Sequence, residues 1–154
     1  MNKNLIKNTI ISSIFIFIVA GLGSVFANIG MDWFNELIKP SQWIPNIVIQ
    51  IVWTIIYLTF AIVNYFWLKK GGIPKTTLAL MIVNGILNVL WCLTFFTLKL
   101  TFIGNIVIIL NLIAGVLLLV NIFKTQRFFA YILSIYPIWL SIATTLNLAL
   151  WILN

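Results

Sequence analysis

The feature that most restricts this chain is a succession of long apolar stretches from which acidic residues are absent. Five of them run approximately Leu5–Ala27, Asn46–Leu68, Thr77–Thr97, Phe102–Phe123 and Phe128–Leu153. Each reaches the roughly 20 residues a helix needs to cross a hydrocarbon core about 30 Å thick. Only the first carries a lysine, Lys7 near its entry. Hydrophobic residues make up 63% of the chain and charged residues 7%. A soluble domain carries roughly 25% charged residues, so this chain has too little polar surface to cover itself in water. The expectation is an all-α membrane protein, one domain over residues 1–154 built as a bundle of five transmembrane helices.

The breaks between stretches are legible. Lys69-Lys70-Gly71-Gly72-Ile73-Pro74-Lys75 joins charge, glycine and proline and cannot continue a helix in lipid. Lys99 and Lys124-Thr125-Gln126-Arg127 mark two shorter connections, and residues 28–45 form the longest. The first stretch, preceded by Lys3, is longer than the 7–15-residue core of a signal peptide and reads as a retained helix. Threading the five spans puts Lys3, Lys7, Lys69, Lys70, Lys75, Lys124 and Arg127 on one side and Lys39 and Lys99 on the other. By the positive-inside bias the N-terminus is expected in the cytoplasm and the C-terminus outside. An odd span number without internal similarity argues against an inverted-repeat transporter.

Composition removes several chemistries. The chain has no histidine, one cysteine (Cys92) and two carboxylates, Asp32 and Glu36. No disulfide can close within it, and neither a Cys/His cluster nor a cage of several carboxylates can be built from one chain, so no metal or cofactor is expected. The net charge of +7 is spread singly or in pairs between apolar runs, not in a stripe, so no nucleic-acid partner is expected.

What remains is a set of polar and aromatic residues at membrane depth. Asn84, Asn88 and Trp91 step by four and three and share one helical face; Trp139, Ala143 and Asn147 do the same in the last span. Asn111 lies within the fourth span, and Asn64 and Tyr65 near the end of the second. An amide in hydrocarbon needs a partner, so these stripes face either neighbouring helices, as packing bridges, or a ligand cavity. Amides without titratable companions do not suit proton pumping. Of seven tryptophans, Trp67 and Trp151 fit an interfacial belt, whereas Trp53, Trp91 and Trp139 lie deeper, where flat rings beside amides would make a slot for a planar ligand. The 28–45 loop, with aromatic anchors and two prolines, has the length of a lid.

At these residues the sequence resembles the TspO/translocator protein family, the tryptophan-rich sensory proteins or peripheral-type benzodiazepine receptors. Trp33-Phe34, Leu37, Lys39-Pro40, Val52-Trp53 and Tyr57 are similar to its W-Y-x-x-L-x-K-P and V-W-x-x-L-Y motifs. Asn88-x-x-Trp91 with Phe95-Phe96, and Tyr136-x-x-Trp139 with Ala143, Leu146-Asn147 and Asn154, are similar to two more, collinear over most of the chain. The departures are Phe34 for a usual tyrosine, Asn84 for glutamine, Cys92 for serine, a proline pair reduced to Pro45, and Pro137 following Tyr136 where the family proline precedes the tyrosine. The resemblance implies a homodimeric five-helix bundle in the lipid bilayer that binds protoporphyrin IX-like tetrapyrroles and other planar hydrophobic ligands. It implies a pocket under the first loop drawn from Trp33, Phe34, Pro45, Trp53, Tyr57, Asn84, Asn88, Trp91, Phe95, Trp139, Ala143 and Asn147. Three functions follow as expectations: a binding protein or sensor linked to transport; a light-dependent porphyrin-degrading enzyme using Trp33 and Trp139; or a structural membrane subunit.

Overall fold

A computed structural model describes residues 3–41 and 43–154, so Met1, Asn2 and Gln42 of the expected 1–154 domain lie outside it. The described residues are helical almost throughout: α1 (Lys3–Ile29), α2 (Met31–Glu36), α3 (Asn46–Lys69), α4 (Lys75–Cys92), a π-turn over Leu93–Thr97, α5 (Thr101–Thr125), α6 (Arg127–Leu133) and α7 (Ile135–Leu153). Among them, five segments are long and apolar enough to cross a membrane: α1, α3, α4 with the π-turn, α5, and α6 with α7.

The helix limits follow from local chemistry. Pro45 and Pro74 occupy the N-cap positions of α3 and α4, where the missing N–H is no loss. Gly71 and Gly72 turn the chain after α3 with φ of 121° and 115°, a region that L side chains rarely adopt. The lid region carries a helix of its own: α2, six residues long, tied to the end of α1 by the Phe34 amide donating to Gly30 O. The last span is interrupted, where the sequence led us to expect one continuous helix. Pro137 has no N–H to give the carbonyl of Leu133 and its ring crowds it, so the helix breaks at Ser134 and restarts as α7.

Helix α5 is the central element, packed along its length against α4 and α7, while α1 lies against α3, α4 and the π-turn. Small residues set these approaches, as they do where lipid supplies no hydrophobic drive between helices. Gly85 faces Phe15 and Val19 of α1, Gly104 meets Phe95, and Gly115 meets Leu140 and Tyr136. Amides lock the interior: Thr77 donates to Asn121 Oδ1 (2.6 Å), and the Tyr136 hydroxyl lies between Asn84 Oδ1 (3.2 Å) and Asn111 Oδ1 (3.1 Å). Trp67 departs from the interfacial belt expected of it. It is 2% exposed and packs on Phe129, because α3 turns this face toward α6 and not toward the membrane surface. Trp151 is 42% exposed beside Phe102.

Candidate ligand-binding cavity

A cavity of about 510 Å³ lies between α1, α3 and α4, with Met31 and Phe34 of α2 at its wall. Helix α3 supplies Gln50, Trp53, Thr54 and Tyr57 at turn-by-turn spacing, and α4 supplies Asn88, Trp91 and Cys92. The π-turn then brings Phe96 to the wall and buries Phe95 beside it at 1% exposure. A single π-turn inside an α-helix re-aims side chains in this way and is frequent at functional sites. Here it is held by Thr97 Oγ1 donating to Phe26 O (2.9 Å) and by Gly30, where a Cβ would overlap the Phe96 carbonyl.

The aromatic rings form a layer. Trp53 stacks on Tyr57 (centroids 5.8 Å apart, planes 28°) and lies at 30° to Trp91 (6.1 Å); Trp91 in turn is 27° from Phe95. Polar contacts fix the orientations. Asn88 Nδ2 donates to the Tyr57 hydroxyl (2.7 Å), the Trp91 indole donates to Asn147 Oδ1 (3.3 Å), and Asn147 Nδ2 donates to Asn105 Oδ1 (2.7 Å). No Asp, Glu, Lys or Arg among the described residues lines these walls. Among the described residues no group of three or more Cys, Asp or Glu could hold a metal ion.

The loop above the cavity is anchored at several points. Lys39 Nζ donates to the carbonyls of Phe34 (3.0 Å) and Asn35 (3.2 Å) and sits 5.0 Å from the centre of the Phe34 ring, stabilising the C-terminal end of α2. Asn154 grips the same loop from the end of α7. Its Oδ1 accepts from the Ile38 amide (2.9 Å) and its Nδ2 donates to the Ile38 carbonyl (3.1 Å), a two-bond pairing across the bundle.

The twelve candidate residues fall into four places. Phe34, Trp53, Tyr57, Asn88 and Trp91 line the main cavity. Phe95, Trp139, Ala143 and Asn147 line a recess of about 40 Å³ that shares Phe34, Trp53 and Trp91 with it, and the buried Trp139 indole N–H has no partner there. Asn84 lines another, of about 60 Å³, that shares Trp53, Tyr57 and Asn88. Trp33 and Pro45 line none of the three: Trp33 packs edge-on against Phe95 (5.8 Å), and Pro45 caps α3. The sequence reading overlooked α1, which contributes Ala20, Gly23, Ser24 and Ala27 to the wall. Their spacing of three, four and seven marks a small-residue face that could have been found. Phe17 on α1 and Leu58 on α3 line the cavity yet are 74% and 56% exposed, so it opens between these helices.

Chemically, the site suits a flat apolar molecule: aromatic surface for stacking, amides and an indole N–H for orientation, and no acid–base pair for hydrolysis. The profile of the TspO/MBR family matches residues 12–152. A tryptophan-rich protein TspO from Bacillus cereus is 28% identical over 147 residues, covering 93% of this chain and 96% of that protein. Another, from Archaeoglobus fulgidus, is 29% identical over 154 residues, covering 98% and 99%.

Proposed function

Because the chain belongs to the TspO/MBR family, as a multi-pass integral membrane protein, we propose that it binds tetrapyrroles of the protoporphyrin IX type and other planar hydrophobic ligands, as a sensor or carrier. The observation that carries this reading is the layer of Trp53, Tyr57 and Trp91 rings, with Trp53 inclined 28° to Tyr57 and 30° to Trp91, along a cavity of about 510 Å³. That volume falls within the range of about 300–1,000 Å³ typical of small-molecule sites. A metal-free macrocycle needs no axial ligand, which suits walls without histidine.

The test is titration of the purified protein with protoporphyrin IX in darkness, followed by tryptophan fluorescence. Saturable quenching is expected, weakened at least tenfold by Trp53→Leu. Uptake no greater than by empty micelles rules the reading out. Repeating the titration under illumination, with absorbance spectra, distinguishes binding from degradation: no new absorbing product is expected.

The same proposal places the N-terminus in the cytoplasm, with seven basic residues on that side against two on the other. A reporter fused after Asn154 that is active only in the cytoplasm would overturn this. It also takes the protein as a homodimer, on the family resemblance, which cross-linking in native membranes checks.

A further inference from the structure

We propose that the cavity of about 60 Å³ adjoining the ligand site holds resident water, which gives the site a hydrogen-bonding floor at membrane depth. This cavity is lined by Tyr57, Asn64, Asn84, Asn88 and Tyr136 among apolar neighbours, and it meets the main cavity at Ile16, Trp53, Tyr57 and Asn88. Asn84 and Tyr136 are satisfied by each other and by Leu80 O. Asn64 and Asn88 are not. They are 5% and 3% exposed, and each uses its Nδ2, toward Ser12 Oγ (2.8 Å) and the Tyr57 hydroxyl (2.7 Å), while both Oδ1 atoms lack a partner.

An unpaired amide oxygen in an apolar interior is costly, and two of them on residues that line one small cavity call for an occupant. The inference survives reversal of either amide, because Ser12 and Tyr57 present hydroxyls that donate as readily as they accept. Turning Asn64 or Asn88 over leaves an unpaired N–H in place of an unpaired oxygen. An occupant that serves either orientation is one able to donate or to accept, and it must be small. A water needs roughly 10–15 Å³ of such space and two to four polar partners. The volume admits more than one, and the Tyr57 hydroxyl adds a third polar group to the two amides.

The consequence for binding rests on the function proposed above. A floor made of fixed protein donors would accept only ligand edges bearing acceptors. A floor of water, able to present either a proton or a lone pair through the shared wall at Tyr57 and Asn88, admits edges of either polarity. Asn64, which lies outside the main cavity, is then a positioning residue for that water.

Two measurements on the ligand-free protein test the water itself. In bilayers, solid-state NMR transfer from water protons to the side-chain amides of Asn64 and Asn88 should give cross-peaks at short mixing times; their absence overturns the proposal. Asn64→Leu should lower Tm by a few degrees, because it removes both the water's partner and the bond to Ser12. A rise in Tm with Asn64→Leu would mean that the cavity is dry and the amide merely tolerated. If Asn64→Leu does not fold, the NMR result decides alone. Because no ligand is added, failure here is distinct from failure of protoporphyrin IX to bind. Where it does bind, Asn64→Leu should weaken it severalfold with the tryptophan quenching signature unchanged.

Discussion

Replacing Asn147 by leucine tests whether the amides at the α4–α5–α7 junction act as one unit. Asn147 accepts from the Trp91 indole at 3.3 Å and donates to Asn105 at 2.7 Å, with Asn105 and Asn147 both 3% exposed. Side-chain hydrogen bonds within membrane proteins average about 0.6 kcal/mol and reach about 1.7 kcal/mol. An orphaned buried group adds about 1–3 kcal/mol in water-soluble proteins, with the lower end appropriate in lipid. Asn147→Leu removes two bonds and strands both the Trp91 N–H and Asn105 Oδ1, so a loss of about 2–3 kcal/mol is expected. Asn105→Leu removes one bond and strands Asn147 Nδ2, but it also deletes an Nδ2 that has no partner, for a loss of about 1 kcal/mol. The double variant strands only the Trp91 N–H. It should lose no more than about 2 kcal/mol, which leaves a coupling of about 1.5 kcal/mol. The assay is equilibrium unfolding in bicelles by detergent titration, followed by far-UV circular dichroism, on all four proteins. Additivity to within about 0.5 kcal/mol would refute the reasoning, since independent sites add to that precision.

Three further outcomes are expected. Gly30→Ala should destabilise by more than the usual 1–3 kcal/mol of overpacking, because its Cβ meets backbone at Phe96 and not a movable side chain; a Tm unchanged within a degree would contradict that contact. Asn154→Ala should leave global stability nearly unchanged while speeding amide hydrogen exchange at Ile38, whose N–H would lose its acceptor; equal exchange in both proteins refutes the anchoring. Affinity for a neutral planar ligand should be flat from pH 5 to 8, because no Asp, Glu, Lys or Arg lines the cavity and the chain has no histidine; a titration step in that window refutes it.

Much of the architecture was legible in the order of residues. Bilayer thickness sets the length of each span, and lipid leaves the backbone no partner but itself, so apolar runs of this length must be helices. The stripes Asn84–Asn88–Trp91 and Trp139–Ala143–Asn147 were legible for the same reason: an amide in hydrocarbon must turn inward, and helical spacing says which residues turn with it. Periodicity could not say what those stripes would meet. It was compatible with packing bridges and with a cavity wall, and the structure uses both. Asn147 bridges α7 to α4 and α5, whereas Asn88 bridges to Tyr57 on α3 and also faces the main cavity. Nor could it place Trp67, since burial of a ring near a helix end depends on whether another helix lies opposite, as α6 does here. The contribution of α1 was hidden because alanine and glycine carry no polar side chain to stand out in an apolar run; Ala20, Gly23 and Ala27 matter by leaving space. The sequence by itself determined that five helices cross a membrane and that a few polar and aromatic residues must be sheltered from it. The tertiary structure alone decided which of those residues enclose a volume, because a cavity is the space left between helices, and that depends on how they pack.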